Sequence, residues 1–331
     1  MTFPRISRRA FNAWAAGTTL MTPLMSLAQA VYPQPGRPIR FVVGLAAGGS
    51  LDAQARVVGR RLGELAGTTV LIDNKPGASM MLSATEVMRA APDGYTFLFA
   101  PSSLIAQNPH TLNNVPYDPF KDFTPITMSS RGPLVLTVHH SLPVANPREL
   151  IAWAKAHPGQ LNFASFGTGT SSHIYAVAFA KIAGIEVTHV PYKGTADAAR
   201  DLLEGRVQAY FDASPTAIQN AATGRIRMIG VAAPKRMTAA PDVPTFTEQG
   251  IAGMDLTSWI AIFGPANMPR DVVAKANALM VQALSSPSVR DAIAPGGYEA
   301  SPSTPAELAQ DMRTAYDRWG VMVKQIGLER Q

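Results

Sequence analysis

The sequence predicts an α/β protein of two similar lobes, each a mostly parallel sheet flanked by helices. Three observations predict it. Short β-branched or aromatic runs alternate with helical patterns, the signature of parallel strands covered by helices. The same cadence returns in the second half of the chain. A length of 331 residues, with 47% hydrophobic and 16% charged content, suits two domains with sizeable cores and does not suit a disordered chain.

Residues 1–30 read as an export signal rather than as part of the fold. Arg5, Arg8 and Arg9 precede an uncharged apolar stretch from Ala13 to Leu27, and Ala28-Gln29-Ala30 forms an A-x-A cleavage signature. Ser7-Arg8-Arg9-Ala10-Phe11 has the form of a twin-arginine signal. The segment carries three Arg and no acid, so the mature balance falls from 29 − 23 = +6 to 26 − 23 = +3. That mild positive charge favours anions without arguing for nucleic acid. No later run of about 18 apolar residues appears, so a periplasmic protein is expected. The absence of cysteine excludes disulfides, thiolate metal sites and thiol nucleophiles, and the six histidines show no metal-ligand spacing. No cofactor is expected.

The elements follow in order. Ile39 to Val43 reads as a strand, Gly44 to Ser50 as a glycine/alanine loop, and Asp52 to Leu65 as a helix with Ala55, Val58, Leu62 and Leu65 on one face. Thr69 to Asp73 is a strand, Asn74 to Gly77 a turn, Ser79 to Ala90 a helix, and Thr96 to Phe99 a strand. The cadence then repeats. Leu161 to Ser165 leads through Gly167-Thr168-Gly169-Thr170 into a helix from Ser171 to Ala183, and Val187 to Val190 leads through Tyr192-Lys193-Gly194 into a helix from Thr195 to Leu203. Gly49 and Gly169 lie 120 positions apart, and Gly77 and Gly194 lie 117 apart. Crossings between lobes are expected at Ser129 to Pro133 and near Gly250 to Ser258. This assigns residues 31–131 plus 255–331 to lobe 1 and 132–254 to lobe 2. Helices Asp271 to Leu284 and Thr304 to Ile326 are expected to return over lobe 1.

The glycine loops carry the chemistry. A helix start exposes unpaired N–H groups and about half a positive charge, and glycine lets an anion approach closely. Gly48-Gly49-Ser50 and Gly167 to His173 occupy matched places in the two lobes, which favours one shared anion site over two unrelated caps. Enzyme motifs are missing: no Gly-Lys-Ser/Thr loop, no G-x-S-x-G elbow, and no third glycine for a dinucleotide. A carboxylate-processing enzyme using Asp52, His173 or Asp212 is the rival reading, although Asp52 suits the first turn of a helix and Asp212 suits a cap before Pro215. Tyr192 is the aromatic best placed to reach a cleft.

Taken together, the chain resembles the extracytoplasmic solute receptors of tripartite tricarboxylate transporters, the Bug receptor family. The marks are Gly48 to Asp52 with Ala55-Arg56, Asn74 to Ala78, Ala91 to Thr96, Gly167 to His173, Val190 to Gly194 and Pro241 to Phe246. The resemblance implies a type II-like periplasmic-binding-protein fold whose lobes close over a small carboxylate, delivered to permease subunits in the membrane or read by a sensor protein. A monomer is expected. By motif, Gly48, Gly49, Ser50 and Asp52, with Ala78 and Ser79 beside them, would form one wall. Thr168, Gly169, Thr170, Ser171 and His173 would form the other, with Ser102, Ser165, Tyr192 and Asp212 completing the set. Departures stand out: Leu51 replaces the family's usual Thr, Ser79-Met80 replace glycines, and Ala46-Ala47 replace a proline pair.

Overall fold

The computed structural model describes residues 32–331, and the export signal expected over residues 1–30 lies outside the described residues. Strand β1 (Ile39–Val43) is buried and β-branched, and it pairs in parallel with β2 (Val70–Asn74) and β3 (Thr96–Pro101). Between β1 and β2 runs α1 (Ser50–Ala66), which buries Leu51, Ala55, Val58 and Leu62 and stops at Gly67, where φ is +63°. Two antiparallel strands, β4 (Phe123–Gly132) and β10 (Ser258–Pro265), extend this sheet, with a short β11 (Glu299–Ala300) at its edge. The order is β11-β4-β10-β3-β1-β2.

The second sheet has the order β7-β6-β8-β5-β9. It comprises β5 (Leu134–His139), β6 (Asn162–Ser165), β7 (Thr188–Pro191), β8 (Ala209–Ala213) and β9 (Ile226–Ala232). Strands β6, β7 and β8 are parallel, as the repeated cadence requires, whereas β5 runs antiparallel to β8 and β9. Both sheets are therefore mixed but mostly of one direction: β10 and the short β11 run against β1 to β4, and β5 runs against β6 to β9. The reason is connectivity. Strand β4 passes directly into β5 through Pro133, and the chain returns from β9 to β10 without an intervening helix, so β5 and β10 enter their sheets without a helical crossover that would enforce parallel pairing.

Helices α5 (Ser171–Ala183) and α6 (Thr195–Leu203) have the predicted bounds. The expected helix from Ser79 does not start there. Ala78, Ser79 and Met80 have φ of +44°, +50° and +73°, so right-handed helix begins only with α2 (Met81–Met88), after a single tight turn. Helix α8 (Arg270–Ser285) packs against α1 and β4. The last helix, α10 (Pro305–Ile326), opens with a Thr304/Glu307 capping box. It reaches beyond the first sheet: Trp319 meets Tyr175 of α5 edge-on at 5.4 Å.

Candidate functional site

Four loops meet across the seam between the sheets, and they meet crosswise. The β1–α1 loop faces the loop after β7: the Ala46 amide donates to the Lys193 carbonyl (3.2 Å) and the Ser50 amide to the Thr195 hydroxyl (3.1 Å). A Cβ on Gly49 would lie 2.5 Å from the same hydroxyl, so only glycine permits this approach. The turn after β2 faces the loop after β6: Ser79 Oγ donates to the Thr168 carbonyl at 2.8 Å. Further along, Thr111 donates to the Gly169 carbonyl (3.2 Å), and a Cβ on Gly169 would lie 2.5 Å from Thr111 Oγ1. The two glycine loops thus line one seam, but each touches the opposite lobe's other turn.

Two cavities lie in the seam. The outer one, of about 300 Å³, has Gly44, Ala78, Ser79, Thr168, Tyr192 and Lys193 in its walls. Lys193 pairs with no acid among the described residues. The inner one, of about 30 Å³, joins the hydroxyl residues Ser50, Ser171, Thr195 and Ser258 to an apolar wall that includes Leu51 and Tyr298. Leu45 and Phe166 border both and separate them. The Thr-to-Leu departure at Leu51 therefore falls on the inner wall, and the departures at Ser79-Met80 fall on the outer one.

Several expected residues serve the loops themselves. Asp52 is buried, accepts from the Gly48 amide at 3.0 Å and makes a two-pronged ion pair with Arg56, both contacts 2.9 Å. Burial opposes its ionisation, but Arg56, the Gly48 amide and Asn74 outweigh that and hold its carboxyl below the usual range. His173 is buried and its Nδ1 accepts from the Gly169 amide at 3.1 Å. Its ring stacks on His189 at 3.8 Å, and His189 Nε2 lies 2.7 Å from Ser165 Oγ. Burial, reinforced by the neighbouring His189, lowers the His173 pKa to about 3; burial lowers that of His189 to about 4. Thr170 Oγ1 donates to the Gly167 carbonyl at 2.6 Å. Tyr192 donates to Asp201 at 2.7 Å; burial, then that carboxylate, pushes its pKa up to about 12.

Ser171 bridges the seam, within 3.2 Å of Ser258 Oγ and 3.5 Å of Ser103 Oγ. Ser102 is buried and its hydroxyl has no partner among the described residues. Asp212 lies at the end of β8 and lines neither cavity. It is fully buried, and neither carboxyl oxygen has a partner of hydrogen-bonding geometry among the described residues. Burial pushes its pKa well above the carboxylate range, against the lowering pull of the Ala213 amide and the Tyr210 and Thr216 hydroxyls. Sequence reasoning missed Leu45, Phe166, Thr195, Ser258 and Tyr298. Only Thr195 carried a signal, a hydroxyl directly after a glycine at a predicted helix start.

Residues 54–328 match the model of the tripartite tricarboxylate transporter family receptor. BugT of Bordetella pertussis is 31% identical over 294 residues, covering 88% of this chain and 90% of BugT. The solved structure of periplasmic binding protein BugD superposes with a TM-score of 0.86 at 30% identity, covering 90% of this chain and all of that one. An R. palustris protein solved with adipate gives 0.87 at 31% identity, covering 91% of this chain and all of its own. MatC from Rhodopseudomonas palustris, solved with bound malate, gives 0.84 at 30% identity, covering 88% and 100%. With that coverage and a shared two-lobed α/β fold, the chain belongs to the receptor family of tripartite tricarboxylate transporters.

Proposed function

We propose that this receptor captures a small organic carboxylate in the seam between its lobes, residues 31–131 plus 255–331 against 132–254. It returns the ligand unchanged to permease subunits in the membrane, as a periplasmic monomer released from its N-terminal signal. The observation that carries the reading is the convergence of the starts of α1, α5 and α6, with their hydroxyls, on one inner cavity without a basic side chain. Helix starts hold a carboxylate through backbone N–H groups and the helix dipole. In the outer cavity Lys193 suits a second carboxylate. The relatives solved with adipate and malate support a dicarboxylate. The contacting residues are Gly49, Ser50, Ala78, Ser79, Ser102, Thr168 to Ser171 and Tyr192. Gly48, Asp52, Ser165 and His173 hold the loops in shape, and Asp212 borders the hinge. Asp52 and His173 each accept from a loop amide, which supports a holding role over acid–base turnover.

A thermal-shift screen of mono- and dicarboxylates against neutral sugars tests this. A ligand at about 100 times its dissociation constant adds about 2.7 kcal/mol of stability. NMR of the recovered ligand should show it unchanged. Stabilisation by sugars and by no carboxylate would overturn the ligand class, and chemical conversion would overturn the receptor role.

A further inference from the structure

A cavity larger than either seam cavity lies outside the seam. It has about 530 Å³ and sits where the chain passes between the sheets, with both crossings in its walls. Gly132 and Pro133 join β4 to β5, the segment from Ala233 to Ala239 follows β9, and Thr257 immediately precedes β10. Its volume falls within the usual range for small-molecule sites. Pro133, Met237, Pro295 and Tyr298 give it an apolar floor, and its rim carries three cations, Arg131, Lys235 and Arg236, against one acid, Glu299. Arg131 is paired with Asp311 and Arg236 with Glu248, whereas Lys235 has no acidic partner among the described residues.

We infer that this hinge groove is a second ligand site, for an amphipathic monocarboxylate whose apolar body lies on Met237 and Tyr298 and whose carboxylate meets Lys235. An apolar floor with Lys235 unpaired at the rim matches such a molecule better than a sugar, and Glu299, which likewise has no basic partner among the described residues, opposes a second carboxylate. The site communicates with the seam through one ring. Tyr298 lines both this groove and the inner cavity. It packs so closely on Gly132 that an added Cβ there would lie 1.8 Å from the ring. An occupant braced between Pro133 and Pro295 favours the hinge angle in which it fits and so biases closure.

Octanoate is the probe and methionine-methyl NMR the assay, because Met237 reports on the groove and Met80 on the seam. Octanoate should shift the Met237 methyl saturably, and octanol should do so far more weakly. Lys235→Glu should weaken the effect roughly fivefold, as expected for a reversed rim charge. A second variant, Thr257→Trp, fills the groove and should abolish the shift while the melting temperature holds. No Met237 shift, octanol binding as well as octanoate, or an unchanged affinity in Lys235→Glu would each overturn the proposal. A Met80 shift that survives both substitutions would place octanoate in the seam instead.

Discussion

The stacked histidines behind the second-lobe glycine loop make stability depend on pH in a direction the structure dictates. His173 and His189 have folded pKa values of about 3 and about 4, below the value of about 6.5 they take in an unfolded chain. Between pH 6.5 and pH 4 the unfolded chain therefore binds protons that the folded one refuses. Their contribution is complete above pH 6.5 and is lost as pH falls toward the folded values. Each pKa unit corresponds to about 1.4 kcal/mol, so each histidine costs up to roughly 2 kcal/mol between pH 7 and pH 5. His189 is partly exposed, which sets its share below that ceiling. Asp212 acts with the opposite sign, since its raised pKa makes the folded state gain stability as pH falls. A bare pH titration would mix the two. Urea unfolding of wild type and His189→Gln at pH 7, 6 and 5 separates them, because the Asp212 contribution is common to both proteins and cancels. The wild type should lose more stability than the variant on going to pH 5, by about 1–2 kcal/mol. Equal losses would mean that the ring is not desolvated in the folded loop, and the account of how that loop is held would fail.

Gly169→Val forces a β-branched residue to a φ of +76° and sets its Cβ 2.5 Å from Thr111 across the seam. It should abolish ligand-induced thermal stabilisation while circular dichroism reports an intact fold. Ala78→Gly removes an exposed methyl from a left-handed position and should raise stability by about 1 kcal/mol in urea unfolding. Asp212→Asn removes the burden of holding a buried carboxyl protonated. Its stability gain over wild type should therefore be larger at pH 8 than at pH 5, by up to about 1.4 kcal/mol per pH unit; a gain independent of pH would contradict the raised pKa.

Much of the fold was legible because local signals and tertiary outcome agree. Helices α5 and α6 start at hydroxyl residues after glycines, and their predicted bounds hold. The helix expected from Ser79 failed because tertiary contacts overrode composition: Ser79 is bonded to Thr168 and the Met80 side chain lies on Gly44, which holds Ala78 to Met80 left-handed. Sheet polarity was illegible at β5 and β10, since a strand's sequence carries its burial and not its direction. The site was half legible. Glycine loops announce themselves, but their crosswise pairing depends on how the lobes face one another. Leu45 and Phe166 look like ordinary core residues until both cavities are seen to share them.

The left-handed bend at Ala78 to Met80 carries a consequence for how this receptor can change. The methyl, hydroxyl and thioether that make the bend unfavourable are the same groups that shape the outer chamber and latch it to Thr168. Changing these positions to glycine would make a sturdier molecule with a blunter sense of its cargo. Robustness and discrimination are set against each other in three adjacent residues, and any drift toward one should be visible as a loss of the other.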